Sequence, residues 1–303
     1  MLCGGVGGAR MARALSGTVA PDRLTVVVNV GDDDYMYGAY VSADLDTVTY
    51  TLAGIEGPHG WGIAGDTFTV MDHLADLGMD TSFRLGDRDL ASCLLRTDGM
   101  HRGATLSDVT TQTAIALGIP EHIMPATDQT IRTRVQIEDG TWLPFQEYFV
   151  ARRHQDEVRA LEYSGIEAAT PAPGLIEAIA AADLVVIAPS NPPLSIWPIL
   201  QIPGVAGAVR KAASVVAISP LFGGKALKGP ADRVLAALGL SPGTAGILEA
   251  YTGLLSALVI DTTDADDTGL ATDHVKVLAA DIRISDPEAG RRFGAWLVDT
   301  MVP

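Results

Sequence analysis

Short apolar runs, each halted by a glycine-, aspartate- or proline-rich turn and followed by helical spacing, constrain the fold of this chain more than any other feature. The clearest is Leu24-Thr25-Val26-Val27-Val28-Asn29-Val30, which stops at Gly31-Asp32-Asp33-Asp34. A continuous apolar run of this length reads as a strand buried on both faces, as in parallel sheets. Residues 184–188 stop at Pro189-Ser190-Asn191-Pro192. Residues 215–219 stop at Pro220 and the loop Gly223-Gly224-Lys225-Ala226-Leu227-Lys228-Gly229. Residues 258–261 and 275–278 are further candidate strands. Helical patterns fall between them, near 46–53, 66–77, 87–96 and 175–182. Another helix is opened by the capping pair Thr105 and Asp108 and closed near Gly118, and a last one starts at Asp286-Pro287-Glu288. Strand followed by helix, repeated, predicts an α/β fold: a Rossmann-like, doubly wound, mostly parallel sheet covered on both faces.

Residues 121–164 read differently. Thr133 to Glu138 alternates, Asp139-Gly140 is a two-residue hairpin signal, and 141–150 returns. The expected organisation is a core of residues 1–81 and 171–303, carrying a mixed α+β insertion lobe over 82–170. The 303 residues suffice for both.

Charge narrows the function. The formal net charge of −16 argues against nucleic-acid binding through a basic field. It also means that an anionic ligand needs local cations or a bound metal. The two cysteines, Cys3 and Cys93, suggest no disulfide framework. No basic-then-apolar leader and no apolar stretch of about 20 residues is visible. A cytoplasmic protein is expected.

In doubly wound sheets, ligands bind beyond the carboxyl ends of the strands. Four candidate strand ends carry polar or glycine-rich turns: 4–10, 29–34, 189–192 and 219–229. Gly4-Gly5-Val6-Gly7-Gly8-Ala9-Arg10 misses the dinucleotide fingerprint, because Arg10 stands where its last glycine belongs and Asn29 where its acid belongs. The turn can still cradle a phosphate at a helix N-terminus, with Arg10 as a cation; a tight turn without a ligand is the plainer alternative. Gly224-Lys225 is no P-loop, since Ala226 replaces the hydroxyl residue. Lys225 and Lys228 are surface lysines or phosphate contacts. Asp32, Asp33, Asp34, Asp44 and Asp46 cluster after a buried strand, which suits Mg²⁺ as well as a solvated acidic loop. Gly86-Asp87-Arg88-Asp89 resembles a helix cap, and Trp61 a core aromatic or a stacking platform.

Taken in order, several strings resemble the CofD/FbiA family of 2-phospho-L-lactate transferases. They are the glycine turn 4–10, Asn29-Val30-Gly31-Asp32-Asp33, Asp44-Leu45-Asp46-Thr47, Gly60-Trp61-Gly62 with Asp66-Thr67, Leu85-Gly86-Asp87-Arg88-Asp89, Phe145-Gln146-Glu147, and Ala188-Pro189-Ser190-Asn191-Pro192 with Ser195-Ile196-Trp197-Pro198-Ile199. The resemblance implies transfer of a phosphoenolpyruvyl or 2-phospholactyl group from a guanosine diphosphate-linked donor to the deazaflavin Fo. GMP is released, Mg²⁺ is required, and a homodimer is expected. It places Asp33 and Asp46 at the metal, one of them orienting the ribityl hydroxyl. It puts Asp46, Arg84, Trp61, Asp66, Asp87 and Arg88 at the acceptor. Gly5, Gly7, Gly8, Arg10, Ser190, Asn191 and Ser219 fall at the donor. A non-catalytic, nucleotide-sugar-binding regulator of the same fold is the rival reading. A nicotinamide dehydrogenase is disfavoured by Arg10 and Asn29.

Overall fold

The computed structural model describes residues 1–227 and 229–302. From the N-terminus, β1 (Leu2–Cys3) leads through the glycine turn into α1 (Val6–Ser16), then β2 (Thr25–Val28). A small hairpin, β3 (Asp34–Met36) and β4 (Ala39–Val41), precedes four helices: α2 (Ala43–Leu52), α3 (Thr69–Asp76), α4 (Asp87–His101) and α5 (Leu106–Ala116). β5 (His122–Pro125) follows, then the antiparallel strands β6 (Arg132–Ile137), β7 (Trp142–Pro144) and β8 (Val158–Ser164). The chain continues through α6 (Leu175–Ala181), β9 (Val185–Ile187), α7 (Trp197–Leu200), α8 (Val205–Lys211) and β10 (Val215–Ile218). A second small hairpin, β11 (Leu221–Phe222) and β12 (Lys225–Ala226), leads to α9 (Ala231–Ala237) and α10 (Gly243–Ala250). β13 (Ala257–Asp261), β14 (Lys276–Ala280) and α11 (Pro287–Met301) complete the fold.

Seven strands form one sheet in the order β14-β13-β10-β9-β1-β2-β5. Every pairing in it is parallel. The strands are continuous apolar runs because both faces are covered: Val26 to Val28, Val185 to Ile187 and Val215 to Ile218 are all buried. β1 has only two residues, yet Leu2 is paired with Val27 on one side and Ile187 on the other. Gly8 lets α1 press onto this strand: a Cβ there would lie 2.5 Å from the Cβ of Cys3. It packs helix on strand and is absent from the cavity wall described below.

The expected 82–170 insertion is corrected. β5 lies within that range and is the edge strand of the main sheet, in register with β2 from Thr25–His122 to Val28–Pro125. His-Ile-Met-Pro is too short to show a period and ends in proline, so its local pattern is silent. The genuine addition is the sheet β7-β6-β8, between Arg132 and Ser164, with its own core of Val135, Ile137, Leu143, Tyr148 and Val158. The returning strand predicted over 141–150 ends at Pro144 and gives way to a π-helical turn at Glu147–Ala151. The predicted capping pair is present as a full capping box on α5, Thr105 with Asp108. No helix among the described residues is long and apolar enough to cross a membrane.

Candidate functional site

The strand order reverses between β1 and β9: the chain first builds outward through β2 to β5, then returns to lay β9, β10, β13 and β14 on the other side. Loops leaving these two strands diverge and open a crevice. A cavity of about 790 Å³ occupies it. Its walls include Gly5, Gly7 and Arg10 after β1, Asp32 after β2, Asp44 and Asp46 on α2, and Ser190 and Asn191 after β9. Trp61 and Arg84 line it from the α2–α4 region, and Phe145, Gln146, Phe149 and His154 from the lobe.

The glycine turn is shaped by close approach. A Cβ on Gly7 would sit 2.1 Å from the carbonyl oxygen of Pro189, and one on Gly5 2.5 Å from Asp44 Oδ1. Gly5 is the N-cap of α1 and supplies no side-chain acceptor, so the first-turn N–H groups are uncapped at the cavity. Beside them, Ser190 Oγ accepts from the Gly4 N–H at 3.1 Å. Asn191 Oδ1 accepts from the Leu194 N–H at 3.2 Å, while its buried Nδ2 has no partner among the described residues. Arg10 makes no ion pair among the described residues. Uncapped helical N–H groups, a buried amide donor and a free guanidinium make an anion cradle.

Asp32 and Asp44 stand next to that cradle. Asp32 Oδ1 is buried without a partner, and its main-chain carbonyl accepts from Gln146 Nε2 at 2.8 Å. Burial, then the charges of Asp44 and Asp33, push the Asp32 carboxyl well above the usual range. Asp44 Oδ2 accepts from Asn29 Nδ2 at 3.0 Å; burial raises its carboxyl to about 6, and the Asn29 hydrogen bond opposes the rise. The Asn29 side chain is itself oriented by the Gly31 N–H, which donates to its Oδ1 at 2.8 Å. Neither acid has an ion-pair partner among the described residues. Two carboxylates without a cation, Asp32 buried and Asp44 half-buried, are costly alone and chemically suited to a hard divalent cation, which accepts one or two protein carboxylates.

Asp33 and Asp46 behave differently from expectation. Asp33 is buried off the cavity wall; its Oδ2 accepts from Ser42 Oγ at 2.7 Å and from the Tyr40 hydroxyl at 3.0 Å. Burial pushes its carboxyl up to about 8, and those hydrogen bonds and Arg96 oppose it. It pins the β3–β4 hairpin, while its neighbour Asp32 takes the cavity. Asp46 does line the cavity, but both oxygens are held by Arg96, with Nη1–Oδ2 at 3.2 Å. Arg96 also donates to the Tyr40 carbonyl at 3.0 Å. Asp44 and Asp46 are two apart on α2, so their side chains diverge by about 200°. Asp44 turns to Asn29 and the glycine turn, and Asp46 turns to α4.

A second acidic group, Asp46, Asp89 and Cys93, brings its ligand atoms within 4.8 Å of one another. Arg96 already neutralises Asp46 there, and burial pushes the Cys93 thiol up, so it stays protonated. Asp89 accepts from the Tyr50 hydroxyl at 2.9 Å, and burial together with Asp46 raises it to about 7. This cluster suits a cation less well than Asp32 with Asp44.

Trp61 and Arg84 lie on the wall as expected; Arg84 also pairs with Asp72 at 2.7 Å and covers the Phe68 ring at 4.9 Å. Asp66, Asp87 and Arg88 are absent from it. Asp66 accepts from the Arg88 and Asp89 N–H groups, at 2.9 and 3.1 Å, capping α4. Asp87 accepts from the Thr69 and Val70 N–H groups, at 3.1 and 3.0 Å, at the start of α3. The first residue of α4 therefore caps α3, the segment before α3 caps α4, and Arg88 reaches the Ala64 carbonyl at 3.2 Å. Ser219 is buried and accepts from the Leu221 N–H at 3.1 Å; its neighbour Pro220 reaches the wall instead. Lys225 is exposed and off the wall, and Lys228 lies outside the described residues. Sequence reasoning saw Asp89 only within a cap-like turn and passed over His59, His154, Phe149 and Arg283. No local motif marks them, because separate elements bring them to the wall.

The family model for 2-phospho-L-lactate transferase CofD matches residues 1–291. A phosphoenolpyruvate transferase of Streptomyces griseus is 41% identical over 273 residues, covering 88% of this chain and 86% of that protein. A 2-phospho-L-lactate transferase of Methanothermobacter thermautotrophicus is 36% identical over 275 residues, covering 89% and 86%. The crystal structure of a UPF0052-family protein from Bacillus halodurans superposes with a TM-score of 0.60 at 17% identity, covering 92% of this chain and 91% of that one. That last likeness concerns the fold alone.

Proposed function

The chain belongs to the CofD family of phosphoenolpyruvyl and 2-phospholactyl transferases, and from that premise we propose that it moves such a group from a guanosine diphosphate-linked donor to the terminal ribityl hydroxyl of the deazaflavin Fo, releasing GMP, in coenzyme F(420) biosynthesis. One observation carries the reading: the uncompensated pair Asp32 and Asp44 beside the uncapped N-terminus of α1, in one cavity. In the transfer, the hydroxyl oxygen bonds to the phosphorus bearing the carboxylated group. The P–O bond to the GMP phosphate breaks, GMP departs with the bridging oxygen, and the hydroxyl proton passes to solvent.

Phosphoryl-type transfer asks for positioning and charge neutralisation more than covalent help. The α1 N–H groups, Arg10 and Asn191 Nδ2 bind donor phosphate oxygens; Ser190 holds the turn in shape through the Gly4 N–H. Asp46, fixed by Arg96 across both oxygens, orients the acceptor hydroxyl. Mg²⁺ belongs with Asp32 and Asp44 rather than with Asp33, and when bound it supplies neutralisation of the diphosphate charge. Trp61 and Arg84 face the flat acceptor. A homodimer is part of the same reading; exposed Leu94 and Leu95 on α4 support it.

The test is a mass measurement after purified protein is mixed with Fo, Mg²⁺ and each candidate donor. A product heavier than Fo by the phosphoenolpyruvyl or phospholactyl group confirms the reading and identifies the donor. No product with any donor, together with tight nucleotide-sugar binding, replaces it with the regulatory reading.

A further inference from the structure

We infer that His154 is a ligand-binding residue, donating its Nε2–H to a carbonyl oxygen on the edge of a flat heterocycle lying along Phe149, and that Arg233 is the positioning residue that fixes its tautomer. The inference rests on the transferase reading for the identity of the heterocycle, and on the structure for everything else. Phe145, Phe149 and His154 all line the cavity. The two phenyl rings stack at 5.2 Å with 17° between planes, and His154 continues the row at 5.0 Å from Phe149. Three neighbouring rings on a cavity wall, the imidazole tilted 43° to the Phe149 plane, make an aromatic cluster whose polar group is the histidine.

The backbone beneath the cluster is unusual in two ways. Phe149 sits in a π-helical turn, Glu147–Ala151, a conformation found mostly as single turns at functional sites. Arg153 and His154 then follow with φ of 53° and 45°, two consecutive side-chain-bearing residues in the left-handed region. Such strain persists where surrounding contacts over-determine it, and it clusters at ligand sites. Here the contacts come from α9: Arg233 Nη2 lies 3.0 Å from His154 Nδ1 and donates to the His154 carbonyl at 3.1 Å.

That clamp settles the chemistry of the ring. A guanidinium has donors only, so Nδ1 must accept, and the proton of a neutral imidazole must sit on Nε2. Burial and the Arg233 charge both hold the imidazole below its ordinary range, which keeps it neutral. Arg233 occupies the Nδ1 edge, which leaves the Nε2–H free for a ligand in the cavity that His154 lines. A neutral N–H beside an aromatic cluster recognises a carbonyl oxygen in the plane of a stacked ring. Two ligands carry that chemistry, the purine base of the donor and the tricycle of the acceptor.

GDP and Fo, titrated separately onto the full chain, distinguish them. His154→Ala is expected to weaken one ligand by about tenfold, which is 1.4 kcal/mol, and to leave the other within about twofold. The ligand affected identifies the source of the heterocycle. His154→Gln, which keeps a donor, is expected to recover most of the loss, and Arg233→Met to weaken the same ligand. Unchanged binding of both ligands by His154→Ala overturns the inference, as does equal loss of both with no rescue by glutamine. If the wild-type chain turns over and His154→Ala is unaffected, only this inference falls. If the wild-type chain binds neither ligand, the transferase reading falls with it.

Discussion

Aspartates that look alike in the sequence acquire four different jobs from their neighbours. Asp32 and the half-buried Asp44 have no cation beside them, Asp46 is buried against Arg96, Asp33 is hydrogen-bonded into a hairpin, and Asp66 caps a helix. Removing charge from the unpaired acids should relieve desolvation and repulsion while impairing the chemistry. Asp44→Asn is expected to lower turnover at limiting Mg²⁺ by at least about 100-fold, roughly 2.7 kcal/mol, without lowering Tm; full activity there would exclude Asp44 from the metal. The paired acid gives the reverse pattern. Arg96→Met strands the Asp46 charge and is expected to cost about 3–5 kcal/mol in urea denaturation. Adding Asp46→Asn to that variant should recover much of the loss, because no lone charge remains, whereas a loss that persists would show that Arg96 acts by packing alone.

Elements meet the cavity through their ends. α1 contributes its N-terminus, α2 its first turn, and β2 and β9 the residues just past their last pairings. The exchange of caps between α3 and α4 fixes the α3–α4 region that carries Arg84. Gly86 is part of this device, since a Cβ there would lie 2.2 Å from Asp66 Oδ2. Asp66→Ala is expected to destabilise the fold by about 1 kcal/mol, as loss of an N-cap does, with the KM for either substrate nearly unchanged. A raised KM at unchanged stability would return Asp66 to the acceptor site. At this scale the sequence was readable where a local rule operates: the capping box at Thr105 and Asp108, the Asp139-Gly140 turn, and the glycines before α1. It was silent on β5, whose four residues have no period, and on the π-helical turn that ends the predicted returning strand.

The whole molecule carries a net charge of −16 and buries acids whose carboxyls sit at about 8 for Asp33, about 7 for Asp89 and about 6 for Asp44. Their unfolded counterparts titrate near 3.8. Between these values the folded chain holds protons that the unfolded chain has released, so stability falls as pH rises through this window. The metal-free protein is therefore expected to show a Tm that declines from about pH 5 to about pH 8. Mg²⁺ should restore it at the upper end, and in Asp44→Asn that restoration should shrink; a Tm that climbs steadily over this range would contradict the raised carboxyls. By itself the sequence determined the parallel α/β architecture, the convergence of turns at strand ends and the acidic character of the cavity they form. Those features rest on hydrophobic period, turn chemistry and composition, all local properties. Only the tertiary structure decided which aspartate faces the cavity, which is neutralised by Arg96, and that His154 arrives there clamped by Arg233. The Arg96 and Arg233 contacts join residues 50 and 79 positions apart, and no local pattern encodes which distant partner a side chain will meet.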